Sequence, residues 1–289
     1  MPYLWILPGL GYLFFFWGYP ALYAVWLSLT ETNLGSEQSR FVGLANFGRI
    51  LLDPLFWISL KNSGVLAAAS VVLEVSLGLG VAVHLHGSGG KRQAVVMAVL
   101  LLPWLFSEVV SALTWRWMFH EPLGMLNVFL RHVGLQGVPW MSRPATAMAT
   151  VVIVSLWQGI GISTMVVLAA LKGIPGRLTD LALLDGAEGW SRLRHVLLPQ
   201  LKGVLMLDGL LVAIKSLGAF TLVFALTGGG PGYATEILAT YIYRLSFYRD
   251  QLGYASAVGV CLACLFLAFT WLLFLLPRGD PGRFLERTR

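Results

Sequence analysis

Charge is what this sequence has least of: Asp, Glu, Lys and Arg make up 12% of its 289 residues, whereas 57% are hydrophobic. An ordinary globular domain carries about 25% charged residues, so this chain lacks the means to cover a water-facing surface and reads as a membrane protein. The formal net charge of +6 is no sign of nucleic-acid binding, because the basic residues are scattered over several loops with no soluble domain to present them. Cysteine is almost missing too. The two present, Cys261 and Cys264, lie inside one apolar run, where a redox or zinc site would lack both water and thiolate character, and packing is their expected role. His84 and His86 stand at the end of another run with no carboxylate nearby in sequence, so no metal site is expected there. The glycines at 228–230 and 232 are not followed by Gly-Lys-Ser or Gly-Lys-Thr, which leaves the chain without an ATP-hydrolysing loop. A Gly-x-Ser-x-Gly nucleophile motif is absent as well.

Long apolar runs are what the chain does have. Five of them, 63–85, 94–119, 147–171, 204–226 and 255–276, each approach the ~20 residues that cross a hydrocarbon core. A sixth, 3–29, is uncharged, too long for the apolar part of a signal peptide and not preceded by a basic stretch, so it is expected to span as well. Six spans put both ends on one side. Lys91, Arg92, Lys172, Arg177, Arg192, Arg194, Lys202, Arg278, Arg283, Arg287 and Arg289 fall on one face; Arg40, Arg49, Lys61, Arg131, Arg143, Arg244 and Arg249 fall on the other. That division, eleven to seven, predicts cytoplasmic termini. The expected architecture is therefore an all-α membrane protein: one transmembrane domain over 1–289, six helices, and a cytoplasmic loop at 172–202. Glu74, Glu108, Arg116, Asp208 and Lys215 lie at membrane depth, where a charge needs a partner or a wet cavity. Glu108 and Arg116 are about 12 Å apart in helical rise, too far for a direct pair.

The loop between the fourth and fifth runs is a charged, glycine-punctuated island. Pro175 fixes its entry, Thr179 offers a cap, and Asp180 suits a positive helix end, which predicts a helix over 179–187 broken by Gly186 and Gly189. A second helix, 191–198, is expected to stop before Pro199. Leu181, Leu184 and Ala187 share one face of the first helix beside Asp185 and Glu188, an apolar stripe that calls for a cover.

Asp180-Leu-Ala-Leu-Leu-Asp-Gly-Ala, followed by Arg194-His-Val-Leu-Leu-Pro-Gln-Leu, resembles the cytoplasmic coupling element of importer-type ABC permeases, whose pattern is Glu-Ala-Ala-x-x-x-Gly and then Ile-x-x-Pro. Asp180 stands for the Glu, Leu181 for the first Ala and Val196 for the Ile; Ala182, Gly186 and Pro199 match outright. Val42-Gly-Leu-Ala-Asn-Phe is similar to a stretch that carbohydrate permeases of this class carry after their first helix, and Leu226-Thr-Gly-Gly-Gly-Pro-Gly-Tyr resembles the maltose-type signature after the fifth span. The resemblance implies a type I ABC importer permease fold with a helix-turn-helix coupling element. It also implies a second permease subunit in a heterodimer, two ATPase subunits that carry ATP and Mg, an extracytoplasmic solute-binding protein, a carbohydrate substrate, and the inner membrane of a prokaryotic cell. This chain itself would need no cofactor.

Three site groups follow. Asp180, Leu181, Ala182, Leu184, Asp185, Gly186, Ala187, Glu188 and Pro199 are expected to dock on the ATPase. Trp157, Gln158, Gly159, Lys215, Ser216 and Ala219 interrupt the fourth and fifth runs with an aromatic face, hydrogen-bonding groups and small residues, the chemistry a sugar path needs. These positions also match those lining the sugar site in maltose-type permeases, although the family's Asn-rich fifth span is here Lys215-Ser216-Leu-Gly-Ala219. Lys215 lies about 10 Å along the helix from Asp208, on nearly the same face, as a structural ion-pair member or a direct ligand of substrate. On the outer side, Thr235 is expected to cap a helix whose Leu238, Tyr241, Ile242 and Leu245 face inward, leaving Arg244, Arg249 and Asp250 for the binding protein. Two other classes compete: an intramembrane enzyme, built on the same buried charges but lacking a nucleophile, and an ATP-independent facilitator, which has no use for the coupling loop.

Overall fold

The computed structural model describes residues 6–275 except 34, 36–38 and 185. The regular secondary structure of the described residues is helical apart from one two-stranded antiparallel ribbon, β1 (Thr30–Glu31) and β2 (Arg40–Phe41), in which Thr30 faces Phe41. The described residues divide into two compact units, those within 1–63 together with those within 236–268, and those within 64–235 together with 269–275.

The first unit opens with α1 (Leu7–Ser28), which carries a π-turn at Phe14–Gly18 and exposes nearly all of its aromatic and aliphatic side chains, as a lipid-facing helix does. Asn46 of α2 (Ala45–Leu52) ties this helix down by donating to the Ser28 and Thr30 carbonyls, both at 2.9 Å, rather than capping its own helix. Asp53 then starts α3 (Pro54–His86): its Oδ1 accepts the Leu55 N–H at 2.9 Å, and Pro54 occupies the first helical position, where no N–H is needed. Ile50, Phe56, Leu238, Tyr241, Leu245, Tyr254 and Val258 form the core of this unit.

In the second unit α7 (Pro144–Lys172) is the central element, packed by α4 (Gly90–Leu105), by α9 (Gly189–Leu217) and by α10 (Phe220–Leu226), which also packs on α5 (Glu108–Met118). The approach of α4 to α7 depends on Gly161, where a Cβ would collide with the Leu100 carbonyl. Ala82, Leu85, Val167, Leu168, Leu171, Leu197 and Leu201 fill the core.

Among the described residues α1, α3, α7 and α9 are long and apolar enough to cross a membrane; α4 and α5 together make a fifth such segment bent by 96°, and the apolar stretch Leu252–Ala268 of α12 (Leu252–Leu275) is shorter. Several expected runs are built differently from plain rods. The run 94–119 breaks at Phe106 and Ser107, which are extended, just after Pro103 has removed a helical N–H. The run 204–226 breaks at Gly218 and Ala219, and its first helix starts at Gly189, well before Pro199. Pro199 was expected to end a helix but sits inside α9. The reason is local: a π-turn at Leu193–Leu197, in which Leu198 N–H bonds back to Leu193, widens the helix where the proline ring would otherwise meet a carbonyl.

Candidate functional site

A cavity of about 460 Å³ opens among α3, α5, α7 and α9. Its wall includes Glu74, Trp104, Phe106, Glu108, Gln158, Gly159, Ser163, Asp208 and Lys215. Lys215 Nζ donates to both carboxylate oxygens of Glu74, at 2.7 and 2.8 Å, and Ser155 supports the same carboxylate at 3.2 Å. Of the two roles left open for Lys215, an ion pair near Asp208 on its own helix or a direct substrate ligand, the structure shows an ion pair, but with Glu74 on α3, and Asp208 accepts a bond from Ser163 at 3.2 Å. A seven-residue separation leaves the two side chains about 10 Å apart along the axis, whereas a neighbouring helix is within one side-chain length.

Gly159 also acts otherwise than anticipated. A Cβ there would overlap the Glu74 carboxylate and the Lys215 ammonium, so its missing side chain accommodates the ion pair. Of the six residues expected on a substrate path, Gln158, Gly159 and Lys215 line the cavity. Trp157 instead meets Trp115 edge to face at 5.5 Å; Ser216 and Ala219 are buried. Glu108, expected at membrane depth to need a partner or a wet cavity, lines this one; Trp104 and Phe106 went unrecognised because neither residue type marks the break at 106–107 that brings them to the wall.

The cytoplasmic-loop candidates form a different kind of surface. The helix α8 (Gly176–Leu184) starts and ends three residues before the expected 179–187. Its end is a Schellman motif: Ala187 N–H bonds to Ala182 O at 2.8 Å, Gly186 N–H to Leu183 O at 3.0 Å, and Gly186 has φ +71°. Leu184 is 83% exposed, Leu181 and Leu183 about half exposed, and Trp190 beyond the turn is 70% exposed. Ala182 is buried and Ala187 half-buried; Asp180, Glu188 and Pro199 face out. Asp185 lies outside the described residues.

On the other candidate face α11 (Leu238–Tyr243) starts after Ile237, whose N–H bonds to Thr240 Oγ1 at 3.0 Å. Thr235 does not cap it but bonds to Gly230 O and Thr227 Oγ1, closing the glycine-rich loop on itself. Leu238, Tyr241 and Leu245 are buried as their spacing predicted. Arg244 does not stand at the rim: it pairs with the fully buried Glu236 at 2.9 Å. Arg249 and Asp250 do line an open concavity of about 480 Å³, together with Glu31, Asn46, Arg49 and Tyr254. There Arg49 lies 4.2 Å over the Tyr254 ring and donates to Gln251 at 2.8 Å. Below it Asp53 accepts the hydroxyls of Tyr241 and Tyr254. Burial pushes the Asp53 carboxyl up, but these two hydroxyls and the backbone N–H groups of Leu55 and Phe56 outweigh it and hold the group below the usual carboxylate range.

Residues 74–279 match the model of a family described as the binding-protein-dependent transport system inner membrane component. The chain belongs to that family. As an ABC importer permease it is 35% identical over 271 residues to the trehalose/maltose transport system permease protein MalF of Thermococcus litoralis, covering 93% of this chain and 90% of that one. It is 33% identical to the probable ABC transporter permease protein YurN of Bacillus subtilis over 93% of each, and 31% identical to the diacetylchitobiose uptake system permease protein NgcF of Streptomyces coelicolor, over 90% of this chain and 77% of that one. The same fold occurs in a chain of a bacterial alginate ABC transporter solved with an alginate-bound periplasmic protein, at a TM-score of 0.82 and 21% identity, covering 94% and 91% of the two chains. The permease is thus a transport component and not an enzyme, and the intramembrane-enzyme and facilitator alternatives fall.

Proposed function

We propose that this permease forms half of the path by which a carbohydrate, delivered by a solute-binding protein, crosses the membrane. The cavity carries this reading: aromatic faces at Trp104 and Phe106 stand beside the hydrogen-bonding groups of Gln158, Ser163 and Asp208, the mixture that a pyranose ring with apolar faces and equatorial hydroxyls requires. Relatives named for trehalose, maltose and diacetylchitobiose transport support the substrate class. In this reading the chain makes six spans with cytoplasmic termini, so that α8 and its exposed leucines lie in the cytoplasm of a prokaryotic cell. There they dock on one of two ATPase subunits that bind ATP and Mg, while a second, similar permease completes the path. Arg249 and Asp250 then face the binding protein. Replacing Gln158 by Ala in the complete transporter tests the path: sugar uptake per assembled complex is expected to fall at least several-fold, and uptake at the wild-type rate would remove the cavity from it.

A further inference from the structure

We infer that the cavity admits saccharides without acidic groups, neutral or amine-bearing, and rejects uronates and sulfonated sugars. The inference rests on the cavity being the substrate path. Its wall holds three carboxylates, Glu74, Glu108 and Asp208, against one cation, Lys215. That cation is committed, because two of its three N–H groups go to the two oxygens of Glu74. Among the described residues the wall therefore carries two more carboxylates than cations. Glu108 is exposed at the start of α5. Asp208 is 1% exposed; Ser163 donates to one oxygen, and the other, Oδ2, is buried without a hydrogen-bond partner among the described residues. A buried acceptor with an unfilled bond is costly unless a donor arrives. A hydroxyl or an ammonium group supplies one. A carboxylate or sulfonate supplies none and meets like charge in a partly apolar, weakly screening enclosure.

Trp104 on the cavity wall provides the probe. The purified complete transporter, free of its binding protein so that selection upstream is removed, is titrated with maltotriose, with the β-1,4 trimer of glucosamine, and with trigalacturonate while tryptophan fluorescence is followed; Trp104→Phe identifies the cavity's share of the signal. Maltotriose and the glucosamine trimer are expected to bind, and trigalacturonate to bind at least ~tenfold more weakly. Glu108→Gln and Asp208→Asn should each narrow that gap several-fold, the first without touching a buried group. If trigalacturonate bound as tightly as maltotriose, the charge selection would be overturned and the path would stand. If none of the three sugars changed the Trp104 signal, the path itself would fall and the inference with it.

Discussion

Lys215 and Glu74, 141 positions apart in sequence, form a two-pronged ion pair between α9 and α3 with contacts of 2.7 and 2.8 Å. Glu74 is almost fully buried, so removing only its cation strands a charge in a low-dielectric setting. One-sided loss of a buried pair costs about 3–5 kcal/mol, and with the Lys215 side chain 38% exposed, solvent screening reduces this case to about 1–3 kcal/mol. Lys215→Met should therefore lower the yield of assembled permease, and Glu74→Gln added to it should restore most of that yield. Equal losses in the single and double variants would show that the pair is not what Lys215 contributes.

Gly186 gives a test of the proposed ATPase-docking surface in which geometry and space separate. Its φ of +71° is the left-handed conformation that a Schellman end needs, while a Cβ there meets nothing among the described residues within 4 Å. Gly186→Val should strain the turn by about 1–2 kcal/mol, misplace Trp190 relative to Leu184, and uncouple ATP hydrolysis from uptake while membrane insertion stays normal. Gly186→Asn, which tolerates this conformation, should retain coupling. Failure of both variants would instead indicate close approach by the ATPase. Wild-type transport by the Val variant would refute docking at this turn.

How much of this was legible beforehand depends on the range of the interaction. The apolar runs, the buried face of Leu238, Tyr241 and Leu245, and a turn at Gly186 follow from periodicity and residue type within a few positions. The Lys215 partner did not follow, because it depends on which helices become neighbours. Pro199 misled for another reason: a proline reads as a stop, and the π-turn at Leu193–Leu197 that relieves it has no signature in residue type. The anchor of α6 (Met125–His132) was equally beyond periodicity: buried Asn127 bonds to the backbone of Val138 and accepts from Trp140 Nε1, partners 11 and 13 positions away.

Arg249 is exposed at the edge of a concavity that also holds Arg49. Arg249→Glu should reduce the stimulation of ATPase activity by the loaded binding protein several-fold at low salt, with the deficit shrinking as salt rises and the Debye length falls to about 8 Å near physiological ionic strength. Stimulation equal to wild type at every salt concentration would exclude Arg249 from that interface.

Asp53 offers a prediction with a definite sign. It accepts two tyrosine hydroxyls and caps α3, and its carboxyl is held below its ordinary value. A group whose folded-state pKa is depressed stabilises the fold fully above its unfolded value, about 4, and loses that contribution as pH falls through the folded value. Wild-type permease in detergent should therefore lose thermal stability progressively below about pH 4. Asn at this position keeps the cap and an acceptor but cannot titrate, so Asp53→Asn should be less stable than wild type at pH 7 and the difference should shrink toward pH 3. Asp53→Ala, which loses the cap as well, should be less stable than Asp53→Asn by about 1 kcal/mol at all pH values. A wild-type advantage over Asp53→Asn that stayed constant from pH 7 to pH 3 would show that the charge on Asp53 is not what binds Tyr241 and Tyr254.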